Sequence, residues 1–233
     1  MRRENIPQWQ LDLRLILLAT FAAFASACAS TPENPHFQTM SESQIIDAVE
    51  SQTQNRKLYD GFMNNLDVSA TLTTEAVGRA LLDQGARIYQ WDPSAYANEK
   101  SKAESQRATE TEVFLSFFVP ERKWDDLAKS QSKWKIFLDA NGRRYEGKAK
   151  LWKSQLVEVK SFYAHHTRWG TPYKVTFPVP TREVENTVSK LTLTGPIGTV
   201  NMEFKPSGMP APALPVTEPG PIGSDPAPSE GEP

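Results

Sequence analysis

The stretch 113–119, Val-Phe-Leu-Ser-Phe-Phe-Val, decides the fold class of this 233-residue chain. It is a continuous apolar run, rich in aromatic and β-branched residues, and Pro120 ends it. Such residues favour strands, and a strand that is apolar throughout is typical of the centre of a sheet. The run therefore predicts a central strand, and the segments on either side are interpreted as its partners.

Similar short segments lie on both sides of this run. Further strands are predicted at 62–72, 134–138, 145–152, 156–163, 173–179, 188–194 and 199–204. Asp139-Ala140-Asn141-Gly142 and Gly195-Pro196-Ile197-Gly198 are turn sequences, which predicts hairpins at these two points. After residue 110 there is no room for the crossover helices that parallel strands need. The predicted fold is mainly β, an antiparallel immunoglobulin-like β-sandwich over 58–205, without the Cys…Trp…Cys pattern of true immunoglobulin domains.

Helices are predicted in the N-terminal half. Ser41 followed by Gln44 has the spacing of a capping box, which predicts an N-terminal helix over 42–57. Thr73 or Thr74 then caps a helix with apolar residues at helical spacing, and a polar helix follows from Ser94 to Arg107. Together these form a helical insertion, 75–107, between the first two predicted strands.

The first 27 residues have the three parts of a signal peptide: a basic start, an apolar core and small residues at the end. The apolar run 15–27 is shorter than the about 20 residues that span a bilayer. Ala25-Ser26-Ala27-Cys28 resembles the lipobox of bacterial lipoproteins. That resemblance implies removal of 1–27, acylation at Cys28, and attachment to the cell envelope, with Ala29 favouring the outer membrane facing the periplasm. Ala25-Ser26-Ala27 also fits ordinary signal cleavage, which would give a soluble periplasmic protein.

Two segments of the mature chain have the composition of linkers. Residues 28–41 are small, polar and proline-bearing, which predicts a tether between lipid and domain. Residues 206–233 hold nine prolines in 28 positions, four acidic residues and no Lys or Arg, which predicts a disordered tail. The net charge of the whole chain is −2, which argues against a nucleic-acid partner.

The sequence carries no motif of a known catalytic or cofactor site. It lacks G-x-S-x-G, H-E-x-x-H, a phosphate-binding loop and a dinucleotide fingerprint. The single cysteine and three histidines are a poor supply for thiol or metal chemistry. We therefore expect a protein that is not an enzyme and that uses no cofactor and no metal.

One loop concentrates polar and aromatic residues of the kind found at binding interfaces. It lies at 163–173 between two predicted strands, and loops positioned by a rigid scaffold often carry binding residues. The candidate partner-binding residues are His165, His166, Arg168, Trp169 and Tyr173. The alternative is that Trp169 packs back to close the end of the sandwich, with Arg168 stacked on it.

A second candidate surface is basic. A face formed by Lys133, Lys135, Arg144, Lys148 and Lys150 is predicted on one hairpin. It would suit anionic lipid, an acidic glycan or the acidic tail of the same chain. The alternative is that it is the solvated side of an antiparallel sheet.

These features favour a non-enzymatic, membrane-anchored envelope lipoprotein that binds or scaffolds another envelope component, a protein or a glycan. One alternative is an envelope hydrolase whose site is assembled from scattered residues, with His165 or His166 as the base and Asp125 or Asp126 nearby. Another is a soluble periplasmic chaperone-like binding protein.

Overall fold

In a computed structural model, which describes residues 39–206, the chain forms two antiparallel sheets and five α-helices. The five-stranded sheet has the order β1 (Thr53–Asp60), β2 (Met63–Leu72), β3 (Thr111–Phe118), β7 (Thr171–Phe177), β6 (Lys148–Leu151). The four-stranded sheet has the order β5 (Arg143–Glu146), β4 (Lys135–Ala140), β8 (Ser189–Gly195), β9 (Gly198–Phe204). The helices are α1 (Glu42–Ser51), α2 (Glu75–Tyr89), α3 (Pro93–Arg107), α4 (Leu156–Phe162) and α5 (Thr181–Glu185), and a short 3-10 turn covers Arg122–Trp124. The prediction of a mainly β, antiparallel fold is confirmed.

The two sheets share one hydrophobic core. Alternate residues of each strand point into it, as the period of two along a strand requires. Its buried members include Phe117, Tyr173 and Phe177 on the five-stranded sheet and Leu138, Leu191, Leu193, Met202 and Phe204 on the four-stranded sheet. The face of each sheet that contributes to this core is called the inner face below.

A second, smaller cluster lies on the outer face of the five-stranded sheet. Phe114 of β3 stacks on Tyr163 with ring centroids 3.8 Å apart. Val49 of α1, Val77 of α2 and Val159 of α4 pack around this pair. The centre of the sheet is therefore buried on both faces, which explains why the run 113–119 is apolar without alternation.

Both predicted hairpins are confirmed. Asn141 and Gly142 join β4 to β5 with φ values of 51° and 71°, the left-handed backbone that a tight hairpin turn requires. Gly195 pairs with Gly198 at the turn between β8 and β9. The capping box of Ser41 and Gln44 and the cap on α2 by Thr74 are also present.

The helix predicted over 42–57 is too long. It ends at Ser51, and the next residues form β1, which pairs with β2. This strand is polar except at a few positions, so neither a helical stripe nor a clear alternation marks it in the sequence. The segment becomes a strand because it pairs with β2. With β1 included, residues 39–206 contain nine strands.

The strand predicted over 156–163 is wrong, because this segment is helix α4. Its Val157 and Val159 suggest alternation, yet the buried positions are Val159 and Tyr163, which are four residues apart. That spacing places both on one face of a helix, packed against Phe114. Strand propensity depends on context, and here packing on the sheet prevails.

The strand predicted over 145–152 is divided in two. It breaks at Gly147, and β5 joins the four-stranded sheet while β6 joins the five-stranded sheet. A Cβ atom on Gly147 would lie 2.6 Å from Phe177 and 2.7 Å from Val175. Glycine therefore allows the backbone to cross close to the core at this point.

The helical insertion 75–107 forms as α2 and α3, between β2 and β3. Within residues 39–206 no helix is long and apolar enough to cross a membrane. The predicted signal segment, Cys28, most of the tether and the tail after residue 206 lie outside the described residues.

Candidate functional site

Polar side chains form a ladder on the outer face of β1 and β2. The register pairs Thr53 with Thr71, Asn55 with Ser69 and Lys57 with Asp67. These six residues share one face because each pair is two positions from the next.

The rungs of this ladder hydrogen-bond to one another. The hydroxyl oxygens of Thr53 and Thr71 are 2.7 Å apart. The Asn55 amide donates to Asp67 Oδ1 at 3.0 Å and lies 2.9 Å from Ser69 Oγ. Lys57 Nζ lies 3.1 Å from Asp67 Oδ2, so the charges of this pair offset each other.

A cleft of about 530 Å³ opens above this ladder. The loop 163–170 forms its wall on the side of β3. The cleft is lined by Thr53, Asn55, Lys57, Asn64, Asp67, Ser69, Ser116, Phe118, His165, Thr167 and Trp169. The volume lies within the range of small-molecule sites, about 300–1,000 Å³, and the lining combines aromatic rings with several polar groups.

A β-bulge brings Asn64 into the cleft. Leu58 pairs with Leu66 but Tyr59 pairs with Asn64, so Asn65 is an extra residue in β2. Strict alternation would place Asn64 on the inner face with Leu66, whereas Asn64 lines the cleft. Its Oδ1 atom is buried and has no hydrogen-bond partner within residues 39–206. A buried acceptor without a partner is uncommon, because it costs free energy unless something bonds to it.

The loop is held against β3 by a buried polar contact. Nδ1 of His166, a residue that is only 3% exposed, lies 2.7 Å from Ser116 Oγ. A Cβ atom on Gly170 would lie 2.6 Å from the same oxygen, so the close approach of the loop requires glycine. Burial lowers the pKa of His166, and the nearby Lys160 cation lowers it further. Ser116 and His166 therefore form a neutral pair that fixes the wall of the cleft.

His165 lies beside the ladder. Its Nε2 atom is 3.5 Å from the hydroxyl of Thr71. Burial lowers the pKa of His165 to about 4, and the neighbouring His166 contributes to the lowering. The imidazole is therefore uncharged at neutral pH. Both imidazole rings lie edge-on to the Phe114 ring, with centroid distances of 5.8 Å for His165 and 6.0 Å for His166.

Trp169 forms the open rim of the cleft. Its side chain is 62% exposed, and the Arg168 guanidinium carbon lies 5.0 Å from its ring centroid. The stacking of Arg168 is as the alternative interpretation predicted, but the indole does not enter the core. An exposed tryptophan beside an arginine is a pair enriched at binding hot spots.

Tyr173 is not part of this site, contrary to the prediction from the sequence. It is 3% exposed and belongs to the core between the sheets. Its hydroxyl donates to Asp125 Oδ1 at 2.9 Å, and burial raises its pKa. The prediction placed Tyr173 in the loop, whereas β7 begins at Thr171 and turns the tyrosine inward.

The predicted basic face is not one surface. Lys135 lies on β4 and Arg144 on β5, which belong to the four-stranded sheet, and Lys133 precedes β4. Lys148 and Lys150 lie on β6, which belongs to the five-stranded sheet. Lys135 pairs with Glu146 at 2.6 Å, and Arg144 forms two bonds with Asp139 at 2.7 and 2.8 Å. All five side chains are exposed, but the sheet switch at Gly147 prevents a single face.

The histidine–aspartate arrangement considered for a hydrolase is not formed. Asp125 accepts from Thr171 and Tyr173, and Asp126 accepts from Ser132. Within residues 39–206, no hydrogen bond joins a carboxylate to either cleft histidine. The same range holds no group of three or more His, Cys, Asp or Glu residues suited to a metal. Ser116 and His166 form a serine–histidine hydrogen bond of the kind that can activate a nucleophile.

Sequence reasoning missed most of the residues that line this cleft. The helix predicted over 42–57 includes the first five residues of β1, so the sequence analysis provides no partner for the polar side of the strand predicted over 62–72. The polar alternation at Asn65–Thr71, together with the wholly polar segment Thr53–Lys57 that precedes it, is the pattern that could have indicated it. The bulge that adds Asn64 has no clear mark in the sequence.

The chain was compared with models of protein families, with curated proteins and with solved structures, and none of the three comparisons gave a match.

Proposed function

We propose that this protein is a non-enzymatic envelope lipoprotein whose folded domain binds another envelope component in the cleft above β1 and β2. The observation that carries the proposal is the cleft itself. It is open, it is lined by Asn64, whose buried Oδ1 atom has no hydrogen-bond partner in the part of the chain that the structure describes, and it has the exposed Trp169 at its rim. A large exposed aromatic residue next to a preformed polar site is a feature that binding surfaces share.

The proposed location rests on the N-terminal segment. The lipobox-like Ala25-Ser26-Ala27-Cys28 supports a lipid anchor at Cys28, in the outer membrane facing the periplasm. The remaining parts of the proposal concern the architecture. Two antiparallel sheets that share one core support an immunoglobulin-like sandwich. Residues 28–41 would be the tether, and residues 206–233 would be a tail that either increases solubility or extends toward a partner. Fold alone does not imply function, so the binding role rests on the cleft.

The binding role is tested by co-purification from solubilised membranes. Trp169→Ala and Arg168→Ala are compared with Tyr89→Ala, which removes an exposed aromatic ring outside the cleft. The expected result is that the first two variants lose a co-purifying component while the control retains it, with all three folded by circular dichroism. Equal capture by all variants would contradict a role for this rim.

The anchor is tested separately with Cys28→Ser. The expected result is loss of the acyl mass on the mature N-terminus, loss of membrane association, and impaired signal removal. Normal processing and unchanged membrane association of the variant would contradict lipidation and favour a soluble periplasmic protein.

A hydrolase is the second candidate, and one observation favours it: Ser116 Oγ and His166 Nδ1 are within hydrogen-bond distance beside the cleft. An activated serine reacts with a fluorophosphonate probe, whereas a structural serine does not. The binding proposal predicts no labelling. Labelling that disappears in Ser116→Ala would favour the hydrolase.

A further inference from the structure

The charges and polar groups of the cleft define the class of ligand that fits it. Its one formal ion pair, Lys57 with Asp67, is internal. The burial that lowers the pKa of His165 leaves that ring neutral. The lining residues therefore leave no charge uncompensated, and the Arg168 cation at the rim stacks on the Trp169 indole instead of lining the cleft. The lining itself does not select an anionic or cationic ligand by charge.

The polar groups of the cleft suit a molecule with many hydroxyls. Hydroxyls come from Thr53, Ser69 and Thr167, and the amides of Asn55 and Asn64 flank them. Each of these groups bonds well to an alcohol, which both donates and accepts. The Asn64 Oδ1 atom accepts no bond within residues 39–206 and is buried, so it can accept a bond from a ligand once the Asn64 side chain turns toward the cleft that it lines.

The aromatic groups of the cleft suit a flat, partly apolar ring. Trp169 and Phe118 both line it, and Arg168 stacks on the Trp169 indole. Sugar rings carry C–H groups on their faces and hydroxyls around their edges. The C–H faces pack on the electron-rich face of an indole, while the hydroxyls bond to side chains around it.

We propose that the cleft binds a neutral saccharide, with one sugar ring against Trp169 and a hydroxyl or amide N–H donated to Asn64 Oδ1. This inference rests on the proposed binding function and names its ligand class. It assigns distinct roles to two residues: Trp169 provides the apolar contact, and Asn64 provides the directional hydrogen bond.

The test is isothermal titration calorimetry on the full chain, purified in a detergent without a sugar headgroup. The probes are two neutral trisaccharides, maltotriose and the trimer of N-acetylglucosamine, with trigalacturonate as the anionic control. At least one neutral probe is expected to bind, and trigalacturonate is expected to bind about tenfold more weakly or not at all. Binding of neither neutral probe, or stronger binding of trigalacturonate, would overturn the inference.

Variants then locate the binding. Trp169→Ala is expected to weaken the neutral probe about tenfold, and Asn64→Leu, which removes the acceptor at similar size, about fivefold. Tyr89→Ala is the control and is expected to stay within about twofold. Binding that neither cleft variant changes would place the sugar elsewhere and overturn the inference.

The outcomes separate this inference from the proposed function. The chain could bind no saccharide in the calorimetry and still retain a component in the membrane co-purification that depends on Trp169. This outcome would refute the saccharide as the ligand and leave the proposed binding role intact. Failure of both experiments would refute both proposals.

Discussion

The outer face of the five-stranded sheet has two halves that differ sharply within one strand. At Phe114 the face is dry, because α1, α2 and α4 cover the ring. Two residues later, at Ser116, it borders an open polar cleft. The loop 163–170 marks the boundary, with Tyr163 on the dry side and Trp169 on the wet side. The comparison teaches that helices cover this sheet only in part, and the uncovered part carries the candidate site.

The largest expected effect is on the covered half. Phe114→Ala removes a fully buried ring that stacks on Tyr163, so the free energy of unfolding should decrease by about 3–5 kcal/mol. Urea denaturation of the full chain measures it. Trp169→Ala on the open half is the matched aromatic truncation, and a decrease of less than about 0.5 kcal/mol is expected. Similar losses for both would erase the distinction between the halves.

Protonation of His165, at the boundary between the two halves, should lower the free energy of unfolding at acidic pH. The folded pKa of His165, about 4, lies below the about 6.5 of an unfolded histidine, so the unfolded chain binds the extra proton between these values. The contribution of His165 to the free energy of unfolding is therefore fully present above about pH 6.5. It decreases by about 2–3 kcal/mol as the pH falls toward about 4. Urea midpoints from pH 7.5 to 4.5 measure this loss.

His165→Gln is the control for that titration, since carboxylates also protonate in this range. The variant should lose less stability than the wild type between pH 6.5 and 4.5. Parallel curves for the two proteins would show that His165 titrates normally and is not desolvated at the boundary.

A smaller effect is expected for the bond that fastens the loop. Ser116→Ala leaves the buried His166 Nδ1 without its partner, which should lower the free energy of unfolding by about 1–2 kcal/mol. Combining it with His166→Leu removes both polar groups, so the double variant should lose less than the sum of the two single variants. Additive losses in denaturation experiments would mean that the pair does not hold the loop.

A still smaller loss of stability is expected for the hydrogen bonds of the ladder inside the cleft. Asn55→Ala removes two exposed hydrogen-bonding contacts of the ladder, and the expected loss is about 0.5–1 kcal/mol. Asn201→Ala on β9 is the matched control, because Asn201 is also exposed and bonds to Thr192. Both should change stability little, while only Asn55→Ala should weaken a cleft ligand. A loss above about 2 kcal/mol for Asn55→Ala would indicate a structural role for the ladder.

The sequence predicted the elements that local chemistry specifies. The apolar run at 113–119, the Asn141-Gly142 turn and the Thr74 cap each determine local structure through the residues themselves. It failed where pairing or packing decides: β1 is a polar strand, and α4 has a strand-like pair of valines.

The candidate site was predictable only in part, for the same reason. Trp169, Arg168 and the histidines stand out because they are rare residue types in one loop. Asn55, Asp67 and Ser69 are common surface residues, and they become a site only through the register of β1 on β2. That register depends on contacts between segments, which a pattern within one segment does not contain.

The extra residue at Asn65 has a consequence for how this protein can change over time. Because the bulge reverses the side to which the preceding residues point, position 64 can vary in chemistry without disturbing the packing that Leu66 maintains. Deletion of one residue there would turn Asn64 toward the interior and send its neighbour outward. If the cleft binds a ligand as proposed, a single substitution at position 64 could therefore change the ligand without affecting the packing of the core.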